Sequence, residues 1–427
     1  MSKPLNWNES NPDAALLERV NPVFQTARMT LFQLAEIGDT DAAVLAKNMG
    51  LTWDTTQNSA AVTAPPEQVL GGMIMLETRF RAMARLAEES GFTTVDLPCG
   101  YTPLAISFAR KGLPYYGLDL PVVIREVSDQ ICALIPPERR GTVRFREVDA
   151  TNYASLEKAL ADIDGPVCIM TEGLLMYFTD SEAGTLCDNI RRILEKKGGC
   201  WYTSDPEAAC QYAFIMKALV GDRYMEFVRN AARLTGDMAD VAVGKNALFI
   251  SPTDMAEGIS VATDFLAAHG LTAERLTVAD HMRELRSLSG VRPGQAAAIR
   301  SDMKRCAFWK ITPRASAAAE TLPSSETDAF GIRASMQDGT LSLALSGRLD
   351  TITAPNLLAF FEDAESKRPI HAVAVDCRGL EYISSAGLRV ILMMHNACSD
   401  GVTLLGVNTA VSEILKQTGF DSILTMA

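Results

Sequence analysis

Short apolar runs alternate with amphipathic stretches through most of the first three hundred residues. The pattern predicts a strand over Thr93–Leu97, a tight turn over Pro98-Cys99-Gly100-Tyr101-Thr102-Pro103, and a helix carrying Leu104, Ile106, Phe108 and Ala109. A second strand, Tyr115–Leu118, is closed by Asp119. Val143–Val148 reads as the next strand, ending at Asp149-Ala150 and followed by a helix through Leu156 and Leu160. Val167–Met170 runs into Thr171-Glu172-Gly173-Leu174-Leu175-Met176-Tyr177-Phe178. A helix from Ser181 to Lys197 and a strand Cys200–Thr203, ending at Asp205-Pro206, come next. Strands alternating with helices imply a doubly wound, parallel α/β sheet. Glu274–Val278 and Cys306–Thr312 supply its last two strands, the latter antiparallel at the sheet's edge.

The flanking segments read differently. Residues 1–92 are largely helical, with Leu31, Phe32, Leu34, Ile37 and Leu45 at helical spacings and a second helix over Val69–Ala87. Residues 206–258 form a helical insertion with Tyr212, Phe214, Met216, Tyr224, Met225 and Phe227. Such residues at helical spacing make a core more readily than a pocket. From Thr312 to Phe330 the chain is rich in Ala, Ser, Thr, Pro and Glu, so residues 313–329 read as a linker that cannot bury enough to order itself. The last hundred residues are a smaller α/β unit. Leu341, Leu343 and Leu345 alternate as a half-buried strand, Gly347–Asp350 turns into a helix, and Ala372–Val375 is a buried strand. Leu388, Ile391 and Leu392 face inward on a further helix, with Val402–Val407 and Ala410–Leu415 completing the unit.

The candidate chemistry lies at the strand ends. In an open α/β sheet, ligands bind beyond the carboxyl ends of the strands, and four successive ends carry an acid: Asp96, Asp119, Asp149 and Glu172. Asp119 follows Asp96 at about the 20-residue offset of an acid that takes a ribose. Gly100 lets the backbone approach a ligand closely. A dinucleotide site wants three spaced glycines, and Pro98 and Thr102 occupy the flanking places, which argues against NAD or FAD. A nucleoside cofactor without phosphates, such as S-adenosylmethionine, needs one close approach and one acid. Arg79, Arg81 and Arg85 precede the first strand, either as a solvated face or with one of them reaching the carboxylate of an amino-acid-like ligand.

Composition narrows the field. The chain has 427 residues, 48% hydrophobic and 22% charged, which suits a globular protein of two or three domains. A net charge of −12 advertises neither nucleic acid nor an anionic membrane as partner. Nine cysteines without a C-x-x-C pair or a nearby histidine imply reduced thiols and no structural metal. The N-terminus lacks a signal-peptide core and no apolar run reaches 18 residues, so a cytoplasmic location is expected.

The TEGLLMYF segment, with VDLPCG, YYGLDLP and VDA upstream, resembles the leucine carboxyl methyltransferase-like branch of class I S-adenosylmethionine-dependent methyltransferases, over roughly residues 20–312. That resemblance implies a seven-stranded sheet with a helical lid, and O-methyl transfer to a small-molecule carboxylate or hydroxyl, as in polyketide pathways. It implies cofactor contacts from Asp96, Leu97, Cys99 and Gly100 on the methionine side, Asp119 and Leu120 at the ribose, and Asp149-Ala150 beside the adenine. Glu172 and Gly173 would lie close to the cofactor, with Arg79 the candidate for its carboxylate. For a phenolic acceptor, Glu172 or Tyr177 would assist. Pro98 and Thr102 stand where the family more often has Gly and Asp.

GRLD and YISSAGLRV make residues 330–427 resemble a STAS domain, the fold of anti-sigma factor antagonists. The match puts Ser385 at their phosphorylatable position, with Ser384 where an Asp often precedes it. Either serine could cap the helix that begins there. Two functions follow: an O-methyltransferase regulated or localised by a STAS domain that meets an anti-sigma factor or serine kinase, or a non-enzymatic regulator whose methyltransferase fold senses a ligand.

Overall fold

A computed structural model describes residues 27–51, 64–237, 246–282, 284–314, 320–326, 330–337, 339–367 and 369–426. The parts of the helical N-terminal and insertion readings at 1–26, 52–63 and 238–245 lie outside the described residues. The chain divides into two units, 1–314 and 315–427.

The first unit is built on seven strands: β1 (Thr93–Asp96), β2 (Tyr115–Asp119), β3 (Val143–Glu147), β4 (Val167–Thr171), β5 (Gly199–Thr203), β6 (Leu271–Thr277) and β7 (Ala307–Pro313). Their order is β3-β2-β1-β4-β5-β7-β6. β1 to β5 are parallel, and β7 is antiparallel to both β5 and β6. The result is a doubly wound, seven-stranded sheet that is parallel except for the inserted β7. One expectation is corrected: β7 does not lie at the edge but between β5 and β6. Phe308, Trp309 and Ile311 are buried along β7, whereas β6 buries only Leu271 completely. A strand apolar on both faces belongs inside a sheet, and one carrying Glu274 and Arg275 tolerates the edge.

The strands' bury-both-faces pattern follows from their sequences. VCIMT of β4 is buried at every position and pairs residue for residue with GCWYT of β5. The helix Asp180–Lys197 between them starts at a capping box, Thr179 with Glu182, and ends at Gly198, whose φ of +79° with an extended ψ suits only glycine. Ahead of β1, the helix Pro66–Ser90 buries Ile74, Glu77, Arg79, Ala82 and Leu86. It packs on the insertion helix Ala208–Val220, where Gly71 admits Met216 and Ile215. Tyr212, Met216 and Phe227 form a small buried cluster, which gives the aromatic positions of the insertion a core role.

The second unit has six strands in the order β13-β12-β11-β10-β9-β8: β8 (Glu320–Glu326), β9 (Phe330–Gln337), β10 (Thr340–Leu349), β11 (Ala372–Ile383), β12 (Val402–Leu405) and β13 (Thr425–Met426). Glu320–Glu326, read from composition as part of a linker, is a strand hydrogen-bonded to β9. Pairing supplies what burial cannot, because an edge strand needs only a neighbour's backbone. The register slips between Leu322 and Ser325, around Pro323, as a residue without an N–H requires. Gly347, Arg348 and Leu349 continue β10 rather than turning, and the helix that follows begins only at Ala354.

Candidate functional site

The sheet brings the acids at the ends of β1, β2 and β4 side by side. Asp96, the last residue of β1, is 6% exposed and accepts a 2.6 Å hydrogen bond from the Tyr115 hydroxyl at the start of β2. Burial pushes its carboxyl up to about 7; the Tyr115 bond opposes this, and the charges of Glu172 and Asp119 add to it. Asp119, the last residue of β2, is equally buried and accepts from Gly100 N (2.8 Å) and Leu120 N (2.7 Å). Burial raises it to about 6 against those two backbone bonds. Gly100 has a φ of +53°, where a side chain would be strained, so the turn after β1 needs glycine there. Thr102 closes the same turn through its hydroxyl on the Cys99 carbonyl. Leu97 donates its N–H to Met170 across to β4, and Cys99 donates to Leu118 across to β2. The Cys99 thiol is buried and pushed well up by desolvation, so it is packing rather than a nucleophile.

Glu172 follows β4. It is part-buried, stands 3.5 Å from Arg79 Nε, and accepts no hydrogen bond among the described residues. Burial pushes it up to about 7; Arg79 lowers it and the Asp205 charge raises it. Gly173 follows with φ +69°. Tyr177 lies on the short helical turn after it, part-buried. Asp149 makes a turn instead of facing its neighbours: its Oδ1 accepts from the N–H and hydroxyl of Thr151. The Ala150 carbonyl accepts from Asn189.

Arg79 is 7% exposed, which removes it from any solvated face. Its Nη2 donates to Asp205 Oδ1 at 2.8 Å and its Nε to the Ser204 hydroxyl at 2.9 Å. Arg81, by contrast, is held by Glu77 one helical turn earlier. Asp205 and Ser204 are the partners of Arg79 that sequence reasoning did not assign to the site. The signal was available, since Asp205 is the acid just beyond β5, one strand further along the row already recognised.

Acceptor capacity separates these acids. A carboxylate offers about four lone-pair sites. Asp205 uses all four, Asp119 two, Asp96 one and Glu172 none. Asp96, Asp119 and Glu172 therefore retain room for donors from a ligand. A separate cavity of about 450 Å³, lined by Arg28, Glu126 and Gln130 among others, includes none of these acids. It holds the Tyr101 partner instead, since the Tyr101 hydroxyl and Arg28 both donate to Glu126.

In the second unit, Ser384 is the N-cap of the helix Ser385–Ala397, its hydroxyl accepting from Gly387 N at 3.4 Å. Ser385 is the first helical residue and exposed. Among the described residues there is no group of acids, cysteines and histidines suited to a metal ion, and no helix long and apolar enough to cross a membrane.

No curated protein matches the chain. Among solved structures, an anti-sigma factor antagonist from Mycobacterium paratuberculosis is 22% identical over 24% of this chain and 88% of its own, with a TM-score of 0.22. The anti-sigma factor antagonist SpoIIAA in its unphosphorylated form is 18% identical over 22% and 87%, with a TM-score of 0.21. Human N-acetylserotonin methyltransferase, solved with S-adenosylmethionine, is 11% identical over 66% and 69%, with a TM-score of 0.31. These scores are too low to carry an argument about function. Residues 332–425 match the family model described as Mlab, STAS domain. The C-terminal part of this chain is accordingly similar to a STAS domain over residues 332–425, and it follows a unit built on a seven-stranded doubly wound sheet.

Proposed function

We propose that the chain is an S-adenosylmethionine-dependent O-methyltransferase whose activity or location is governed by its STAS domain. The observation that carries this reading is the set of acids with spare acceptor sites at neighbouring strand ends, Asp96, Asp119 and Glu172, around the Gly100 turn. The residues fit the cofactor's chemistry. Asp119 keeps two lone-pair sites, enough for the two hydroxyls of a ribose, while its other two hold the backbone of the glycine turn. Three acids raised chiefly by burial, with neighbouring carboxylates adding to the rise at Asp96 and Glu172, suit a ligand bearing positive charge, which the sulfonium and ammonium groups supply. Arg79 Nη1, for which no described residue is an acceptor, suits the ligand's carboxylate. Leu97 and Cys99 line the turn, and Leu120, Asp149-Ala150 and Gly173 flank the ribose and adenine.

Bound there, the cofactor supplies an electrophilic methyl group. The chain's part is to hold the acceptor oxygen in line and keep water away, which can provide most of the acceleration. A small-molecule carboxylate is already ionised near neutral pH and needs no base. For a phenolic acceptor, Glu172 or Tyr177 would take the proton. We assign Ser385 as the phosphorylated position of the STAS domain, facing an anti-sigma factor or serine kinase in the cytoplasm. The test is calorimetric titration of the full chain with S-adenosylhomocysteine, followed by turnover of labelled S-adenosylmethionine with a panel of carboxylic and phenolic acceptors. Binding with a methyl ester or ether product supports the enzyme. Binding without any turnover favours the ligand-sensing regulator, and no binding overturns the methyltransferase.

A further inference from the structure

We propose that Asp205 is a positioning residue that aims Arg79 at the carboxylate of the bound ligand and limits its contact with Glu172 to a 3.5 Å ion pair. The proposal rests on the cofactor reading above. Asp205 is 1% exposed and sits just beyond β5. Its Oδ1 accepts from Gly173 N (2.7 Å) and Arg79 Nη2 (2.8 Å), and its Oδ2 from Leu174 N (2.8 Å) and Leu175 N (2.9 Å). With every lone-pair site occupied, Asp205 has nothing left with which to bind a ligand, so its effect must pass through its partners.

Those partners come from two segments far apart in the chain. The three N–H donors are the segment directly after Glu172, so the carboxylate is anchored to the backbone and cannot swing. Arg79 comes from the helix before β1, 126 residues away in the chain. Its Nε is fixed by Ser204 at 2.9 Å while Glu172 lies 3.5 Å from the same atom. Two rigid acceptors on one edge of a planar fork determine where the remaining N–H groups point. Without Asp205, the guanidinium has a second carboxylate within reach, and pairing with Glu172 would use up both the fork and an acceptor that the ligand's donors need.

The experiment compares two probes by calorimetry on the full-length chain. S-adenosylhomocysteine carries the amino-acid carboxylate, and 5′-deoxy-5′-methylthioadenosine lacks it. Asp205→Asn keeps the shape but not the charge. Its expected effect is a loss of about tenfold in affinity for S-adenosylhomocysteine, one charge-assisted hydrogen bond, with the methylthio nucleoside unchanged. Ser204→Ala removes only one hydroxyl from the same guanidinium and should show the same selective loss at smaller size; it decides the matter if Asp205→Asn does not fold. Equal weakening of both probes means a merely structural residue and overturns the proposal, as does unchanged affinity in both variants. Failure of the native chain to bind either probe overturns the cofactor reading itself, which separates the two failures.

Discussion

Replacing Asp119 tests the site most directly. The carboxylate accepts from Gly100 N and Leu120 N and keeps two lone-pair sites, so a bound ribose would complete it with two hydroxyl donors. A hydrogen bond to a charged group contributes about 1.5–3 kcal/mol, so two give about 3–6 kcal/mol as an upper range. Water can reach the hydroxyls once the side chain is shortened, so Asp119→Ala should weaken S-adenosylhomocysteine by at least about tenfold and by as much as about a thousandfold. The same change leaves two backbone N–H groups without their acceptor, at about 1–3 kcal/mol each. Circular dichroism and a thermal melt must therefore show a folded, if less stable, variant before calorimetry is interpreted. A 2′-deoxy analogue of the ligand isolates the contact. Native protein should prefer the ribose form, and Asp119→Ala should lose most of that preference. Unchanged affinity in a folded variant, or a preference for the 2′-hydroxyl that survives it, would refute the ribose assignment.

Other expectations follow from the same geometry. The folded-state carboxyls of Asp96, Asp119 and Glu172 lie above the ordinary carboxylate range, so their contribution to stability is present below about pH 4 and lost as pH rises through 6 to 7. Asp96→Asn should thus gain stability over the native ligand-free chain above pH 7 and little at pH 4 in denaturant titrations; a gain independent of pH contradicts the burial account. Glu207 is fully buried and accepts from Arg275 twice, Ala307 N and Trp309 Nε1. Glu207→Ala should cost about 3–5 kcal/mol by leaving a charge and two donors unmatched, and a denaturation midpoint near the native one would show the knot to be dispensable. In the STAS domain, Ser385→Asp should abolish capture of an anti-sigma-type kinase partner that Ser385→Ala retains, because phosphate-like charge at an exposed helix start opposes docking. Ser384→Ala should cost about 0.5–1 kcal/mol, the low side for a cap whose bond is 3.4 Å long, without changing that partner set.

Much of this architecture could be read along the chain, because the physics involved is local. A buried parallel strand writes itself as a run of apolar residues, and a tight turn at positive φ writes itself as glycine, so β1 to β5, Gly100 and the row Asp96, Asp119 and Glu172 at the strand ends could be named from spacing alone. Ser384 and Ser385 likewise stood at a helix start that capping chemistry makes visible.

Other features depended on partners far away in sequence, and periodicity holds no trace of them. Glu320–Glu326 looks like a linker until β9 offers its backbone, since hydrogen bonding to a neighbour orders a strand that has little to bury. β7 became an interior strand because β6, more polar, took the edge. By spacing Arg79 was one of three basic residues on a helix, singled out only by family resemblance; the packing of that helix against the end of β5 is what buries it and pairs it with Asp205 and Ser204. Asp205 ends its strand like the other acids, yet the three N–H groups converging on it take up the acceptor sites that Asp96, Asp119 and Glu172 keep free. Which carboxylates keep acceptor sites free and which spend them on the protein is decided by how many donors the folded chain has already brought to each, a quantity that exists only once distant segments meet.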